Sequence, residues 1–442
     1  MIARPPRVDG AAAAAALAPA VEFAALGAGL TLTVVAMARL GDWARSLAEF
    51  QALYFLAFGF FGLAVLRLAR YRAVPGAGVL VLSVALATRA ALLPVPPSLS
   101  DDIHRYVWEG RVIAGGGDPY HMAPDDPRLV ALRDTRIWPK VNHPNLATIY
   151  PPAAEAGFAL VAWVSPTVEA MKVWIVLHDL ALVGILLAWC ASRECGAAAA
   201  LVYAWNPLVL VEYSGSGHQE PTALAFLALA FLLAAKRPVL SGLALALAAL
   251  VKLAPLAALP FLMRRWTWPA RAACLALLAP GLAWFWALTR GANSGLHAYW
   301  STWRNNASVF ALLERATGRF EIARAIGIAA IVAVAALAWW RARDAERATR
   351  QVLQAGAIVS PVLHPWYLGW LLVFEPLAPS APWLLLSATV VLSYGLFQAP
   401  ADRATYHLGA AGRWLEYGAP LALACGLAAW RRLRPHGEDA HA

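Results

Sequence analysis

Two adjacent carboxylates, Asp101 and Asp102, open the longest polar interval of an otherwise strongly apolar chain. Carboxylates at a hydrocarbon boundary are costly unless water, a cation or chemistry holds them. A carboxylate near a substrate hydroxyl is an effective general base once its pKa approaches the working pH. On a short helix the two side chains diverge by about 100°, so only one of the pair is expected to face a substrate. The other can hold Arg105 or Arg111; a helix cap by Ser100 or Asp101 is the competing structural account. The interval runs from about residue 96 to 149 and also holds Glu109, Asp118, His121, Lys140, His143 and Tyr150. It is expected to be an external catalytic loop carrying short juxtamembrane helices.

Four further groups of residues need an explanation. Glu212 to Glu220 joins two apolar segments, and within it His218 and Glu220 are candidate contacts to sugar hydroxyls or to a metal. Two such residues do not make a metal site, so metal ligation stays undetermined and a divalent ion remains a candidate cofactor. Lys252 is embedded in an apolar run, where an ammonium needs an anionic partner, a polar cavity or a route to the interface. A lipid phosphate and an acidic side chain both fit, the phosphate slightly better. Arg304, with Asn305 and Asn306 in a second external loop at 291–321, is a further phosphate or sugar contact. Finally His364-Pro365-Trp366-Tyr367 breaks a late helix and gathers a histidine with two aromatics. His143, Tyr150, Asn305, Trp366 and Tyr367 are taken as cavity-lining, with interface anchoring the bland alternative for the aromatics.

The elements that must position these residues are membrane helices. The chain has 442 residues, of which 61% are hydrophobic and 14% charged, and a mean hydropathy of +0.58. Apolar stretches of about 20 residues, each long enough to cross a ~30 Å hydrocarbon core, recur throughout. They lie at about 19–40, 49–69, 76–95, 150–165, 170–190, 197–212, 220–235, 239–262, 272–290, 323–340, 351–372, 382–397 and 413–430. The expectation is an all-α, polytopic membrane protein with about 11–13 transmembrane or partial helices, residues 1–442 forming a single transmembrane domain. The N-terminal apolar run continues through Leu40 and is read as a retained first helix rather than a cleaved leader.

A net charge of +10 invites a nucleic-acid reading, which the positions of the charge oppose. Arg67, Arg70 and Arg72 flank one apolar segment, and Arg341, Arg343, Arg347 and Arg350 fill a short linker. Such clusters follow topology rules and anionic headgroups. They place Asp101 and Asp102 on the outer face of the membrane. Simple alternation then fails, because Lys236–Arg237 and Arg264–Arg265 both favour the inner side with one apolar segment between them. Pro255 and Pro260 offer a solution in which two half-helices dip in and return. The four cysteines form no metal pattern and read as small buried hydrophobes. Gly115-Gly116-Gly117-Asp118-Pro119 is a turn, without the lysine of an ATP-binding loop.

The run Ser100-Asp101-Asp102-Ile103-His104-Arg105-Tyr106-Val107-Trp108-Glu109-Gly110-Arg111 carries a family resemblance. Asn142-His143-Pro144, Tyr150-Pro151-Pro152, Trp205-Asn206-Pro207, Gly217-His218-Gln219-Glu220 and His364-Pro365-Trp366-Tyr367 continue it. Together they resemble the bacterial polyprenol-phosphate-mannose-dependent mannosyltransferases, within the multi-spanning glycosyltransferases of the C-type fold. The resemblance implies inverting transfer of a sugar, first of all mannose, from a polyprenyl-phosphate donor to a hydroxyl of a cell-envelope glycan or glycolipid. It implies a multi-pass protein of the bacterial cytoplasmic membrane, its loop facing the cell exterior. The family's acidic residue at the acceptor hydroxyl falls here on Asp102 or Asp101, with Asp102 preferred. Lys252 is then a candidate for the leaving phosphate, and Arg105, Arg111, Arg304, His218, Glu220 and His364 for the donor's phosphate or sugar. His218-Gln219-Glu220 departs from the asparagine-aspartate ending commoner in that region. A flippase for polyprenyl-linked glycans would concentrate its polar residues near the midplane, and a non-catalytic assembly subunit would leave these residues unused.

Overall fold

The computed structural model describes residues 10–71, 74–193, 195–291, 293–398 and 408–433; Arg72 lies outside them. Among the described residues the chain is helical, without a strand beyond an isolated bridge between Asn305 and Val362. Six helices are long and apolar enough to cross a membrane. The described chain begins with α1 (Gly10–Arg39), α2 (Leu47–Leu68) and α3 (Ala77–Leu92); α1, over Ala18–Arg39, and α2 are among the six, while α3 is a shorter apolar helix. The loop helix α4 (Asp102–Ala114) and the short α5 (Pro152–Val164) precede the spanning helix α6 (Val168–Ala191). The chain is a multi-pass membrane protein. Apolar side chains such as Val21, Leu32, Leu66 and Trp340 cover its outer surface, the face a bilayer would meet.

The middle of the chain departs most from uniform spans. The stretch read at 197–212 is broken: Leu201–Ala204 ends before Asn206, whose side chain accepts from the Leu208 amide at 2.9 Å. Pro207 starts a new turn, and Leu210–Gly215 is wound as a π-helix, a local widening frequently found at functional sites. Helices α7 (Glu220–Leu233) and α8 (Pro238–Val251), each 14 residues long, rise only about 21 Å at 1.5 Å per residue, short of a bilayer.

At Lys252 the backbone becomes extended, and Ala254–Ala258 and Leu259–Met263 lead back. The return is fixed by Trp266, whose Nε1 donates to Ser241 Oγ at 3.0 Å near the start of α8. Lys236–Arg237 and Arg264–Arg265 therefore lie at one end, as the proline-broken half-helices of the sequence reading require. The next helix, α9 (Trp268–Leu288), rises again beside α8, with Gly281 against Leu250. After the second polar loop, α10 (Phe320–Arg341) spans, and α11 (Ala345–Val359) stops at Ser360, so the expected 351–372 span is in two pieces. The span near 382–397 is present as Ala381–Gln398, an α-helix with a 3-10 continuation.

Candidate active site

Helix α4 carries the site, and its seating explains its sequence. Every residue from Ile103 to Gly110 is buried, because the helix is sandwiched between α5 and the polar loop. Gly110 is required by that seating: a Cβ there would stand 2.4 Å from the Phe158 carbonyl oxygen of α5. Arg105 acts as the organiser of the loop. Its Nε donates to Glu109 at 2.6 Å, Nη1 to the carbonyls of Asn142 and His143 at 3.1 Å, and Nη2 to that of Leu146 at 2.6 Å. Those bonds deliver Asn142, whose Nδ2 donates to Asp102 Oδ1 at 2.8 Å.

Asp102 begins α4 with its side chain 25% exposed, its Oδ2 standing 3.7 Å from Nδ1 of the fully buried His218. Burial raises its pKa to about 6, opposed by the charge of Lys252 and the Asn142 hydrogen bond, and assisted by Glu220 and Asp101. A carboxylate in that range is a serviceable base near neutrality. Asp101 occupies the N-cap position, exposed and making no side-chain capping bond; the Asp102 amide donates instead to Ser100 Oγ at 3.3 Å. Of the adjacent carboxylates, Asp102 is the one turned into the protein.

Beneath it the broken middle segments converge. Gly217, at φ 80°, turns the chain into His218, and a Cβ there would meet Ile103 of α4 at 2.4 Å. Lys252, at the α8 break, pairs with the buried Glu220 at the start of α7 and lies 4.9 Å from the centre of the Tyr367 ring. The acidic partner of Lys252 in this structure is thus a side chain. Trp366 stacks on both His218, at 3.6 Å between ring centres, and His364, at 4.3 Å. Tyr299, from the second polar loop, places its hydroxyl 3.2 Å from that of Tyr367. Carboxylate, ammonium and aromatic rings thereby lie together under the loop.

Other candidates sit differently. Arg111 pairs with Asp134 and donates to the Pro166 carbonyl, and Arg105 is spent on the loop. Exposed Arg304 grips Glu314 in a forked pair and covers Phe320 at 4.2 Å. Asn305 bridges through its backbone to Pro361 and Leu363, tying the second loop to the His364 turn. His143, exposed at φ 44°, packs on Trp303 at 4.6 Å; burial, then the charge of Arg105, lowers its pKa. Tyr150 is buried between Tyr106 and Phe158. Sequence reasoning gave no role to Asn142, Glu212 or Tyr299. Glu212 was visible as an acid beside an apolar run, but nothing in the sequence indicated the π-turn that carries it. Among the described residues no group of three or more His, Cys, Asp and Glu side chains is arranged to hold a metal ion.

A helical membrane bundle that gathers a tuned carboxylate, an ammonium and aromatic rings beneath an extramembrane loop has the parts of a multi-spanning transferase. Residues 7–268 match the family described as alpha-(1->6)-mannopyranosyltransferase, N-terminal domain, and residues 302–415 match the MptB C-terminal domain. The chain belongs to this family of membrane glycosyltransferases. Alpha-(1->6)-mannopyranosyltransferase A of Mycobacterium tuberculosis is 27% identical, in a match that covers 77% of this chain and 72% of that protein. No solved structure matches.

Proposed function

We propose that this chain transfers mannose, with inversion, from a polyprenyl-phosphate donor to a hydroxyl of a cell-envelope glycan or glycolipid. The alpha-(1->6) linkage named for the mycobacterial relative is the first to test. The observation that carries the reading is Asp102, its pKa raised to about 6, under the loop where Lys252 meets Glu220. In this mechanism Asp102 removes the acceptor proton as the hydroxyl attacks the anomeric carbon on the face opposite phosphate. Lys252 exchanges its Glu220 contact for the departing phosphate, whose growing charge it stabilises. A well-aimed donor of this kind contributes a few kcal/mol. Tyr367 and Tyr299 offer ring faces and hydroxyls to the sugar, backed by the stacked Trp366 and His364. Prenyl-phosphate is itself a good leaving group, so no nucleotide site is needed. The reading has the catalytic loop facing outward from the cytoplasmic membrane, which the arginine-rich 341–350 linker at the opposite end supports.

The test is transfer from purified polyprenyl-phosphate-mannose to an envelope lipid extract, comparing the native protein with Asp101→Asn/Asp102→Asn. Product that depends on the carboxylates supports the reading and permits isolation of the acceptor. If well-folded native protein yields none with this donor, mannose is wrong and other polyprenyl-phosphate sugars follow. Failure across that panel would sink the transferase assignment.

A further inference from the structure

Behind Asp102 lies a line of polar atoms that the proposed mechanism does not use. His218 is fully buried, and neither ring nitrogen has a hydrogen-bond partner. Its Nδ1 faces Asp102 Oδ2 at 3.7 Å and its Nε2 faces Glu212 Oε2 at 3.6 Å. Glu212 is fully buried as well; Oε2 has no partner, while Oε1 accepts from the Tyr394 hydroxyl at 2.7 Å. The two gaps exceed a hydrogen bond by about half an ångström, and a small side-chain rotation closes both. Buried polar atoms without partners are rare, so three in a row call for an explanation.

Charge bookkeeping decides which atoms carry protons. Lys252 and His364 face His218, and Lys252, Glu220 and Asp101 face Asp102. Tyr394, Tyr54 and Glu220 face Glu212, which has no Lys or Arg ion-pair partner among the described residues. A buried carboxylate without a cation neutralises itself. As a neutral acid, Glu212 can donate to Nε2, which leaves the only imidazole proton on Nδ1, aimed at Asp102.

We propose that Glu212 and His218 are positioning residues for the base: the Glu212 carboxyl proton fixes the His218 tautomer, and His218 Nδ1–H holds Asp102 Oδ2. With Asn142 on Oδ1, the carboxylate is then gripped from both sides and its free lone pairs are presented to the acceptor hydroxyl. The stack of His218 on Trp366 couples the same imidazole to the aromatic rings, so base and sugar platform share one support. This inference rests on the reading of Asp102 as the base.

The test measures kcat/KM against pH for purified, folded variants with polyprenyl-phosphate-mannose as donor. His218→Phe keeps a ring on Trp366 but removes the donor to Asp102. It should lower kcat about 10–100-fold, the usual cost of a loosened reacting group. The acid limb should also move upward by about one pH unit, since a lost charge-assisted hydrogen bond is of that size. Glu212→Leu should do the same, whereas Glu212→Gln, whose amide still donates to Nε2, should keep the limb at its native midpoint. An unshifted limb in folded His218→Phe would overturn the proposal. So would Glu212→Gln behaving like Glu212→Leu, because Glu212 would then act as a charged acceptor. Tyr394→Phe, a smaller change, guards against misfolding: it removes a donor that favours the charged form of Glu212, so the neutral acid and the native limb should both persist, and a raised limb counts against the network. Asp102→Asn separates the two readings. If it retains turnover the base assignment fails; if it is inactive while the network variants are native-like, only the positioning proposal fails.

Discussion

Asp102 is the proposed base, and its environment makes a signed prediction about pH. Burial holds its pKa at about 6, above the ordinary carboxylate value of 3.8. A base works only when deprotonated, so a raised pKa means activity is complete above about pH 7 and is lost as the pH falls through 6. Below that point kcat/KM should drop about tenfold per unit. A profile flat down to pH 4.5 would show that Asp102 is not the group titrating. Lys252 makes a second prediction. Lys252→Met removes the proposed partner of the departing phosphate and should cost about 10²–10³ in kcat, the size of one well-aimed donor. Unchanged kinetics would return Lys252 to a structural role as the counter-ion of Glu220. Asp102 was legible in the sequence because two acids at a membrane boundary are expensive. The sequence reading preferred it to Asp101 only by resemblance, since the inward turn depends on which way the first turn of α4 faces once Gly110 has seated the helix on α5.

At the scale of elements, the loop is held by Arg105 more than by its own secondary structure. Between α4 and α5 only two short 3-10 turns, Pro127–Leu132 and Trp138–Lys140, interrupt irregular chain. Replacing Arg105 with Met would orphan buried Glu109 and free the carbonyls of Asn142, His143 and Leu146. Breaking one side of a buried pair costs about 3–5 kcal/mol. Arg105→Met should therefore lower thermal stability in detergent and raise protease sensitivity within 121–147, while Arg105→Lys restores charge without the fork and rescues only in part. Equal protease resistance in the two proteins would show that the loop is held by other contacts. From sequence Arg105 was a candidate partner for one of the two aspartates or a contact to donor phosphate or sugar, because an arginine near acids advertises charge and not its partner. The long spans α1, α2, α6, α9 and α10 were readable from hydropathy. The breaks at Asn206, Lys252 and Ser360 were only hinted at by proline, because where a backbone leaves the helix is decided by tertiary partners such as Ser241 for Trp266.

For the whole molecule, the helices separate two polar ends. Helix α6 begins near the loop, where Lys172 Nζ donates to the Leu92 and Val95 carbonyls, and ends at Arg193, which pairs with Glu346 of the arginine-rich linker. Arg264 and Arg265 reach the carbonyls of Trp339 and Arg343 at that same end. The linker end and the Asp102 end are thus opposite faces, and a cytoplasmic linker end with Asp102 outside is the orientation proposed above. Two exposed positions mark the faces: Cys195 beside Arg193, and His121 in the polar loop. In a background with Cys190, Cys274 and Cys425 replaced, a membrane-impermeant maleimide applied to intact spheroplasts should leave Cys195 unmodified until the membrane is opened. With Cys195 also replaced, His121→Cys should react from outside at once. The reverse pattern would place Asp102 in the cytoplasm, where a donor presented on the outer leaflet could not reach it. The orientation decides the donor as much as the chemistry does: a prenyl-phosphate sugar carries its own activation across the bilayer, and a transferase that faces outward can draw on it where no soluble nucleotide sugar is supplied.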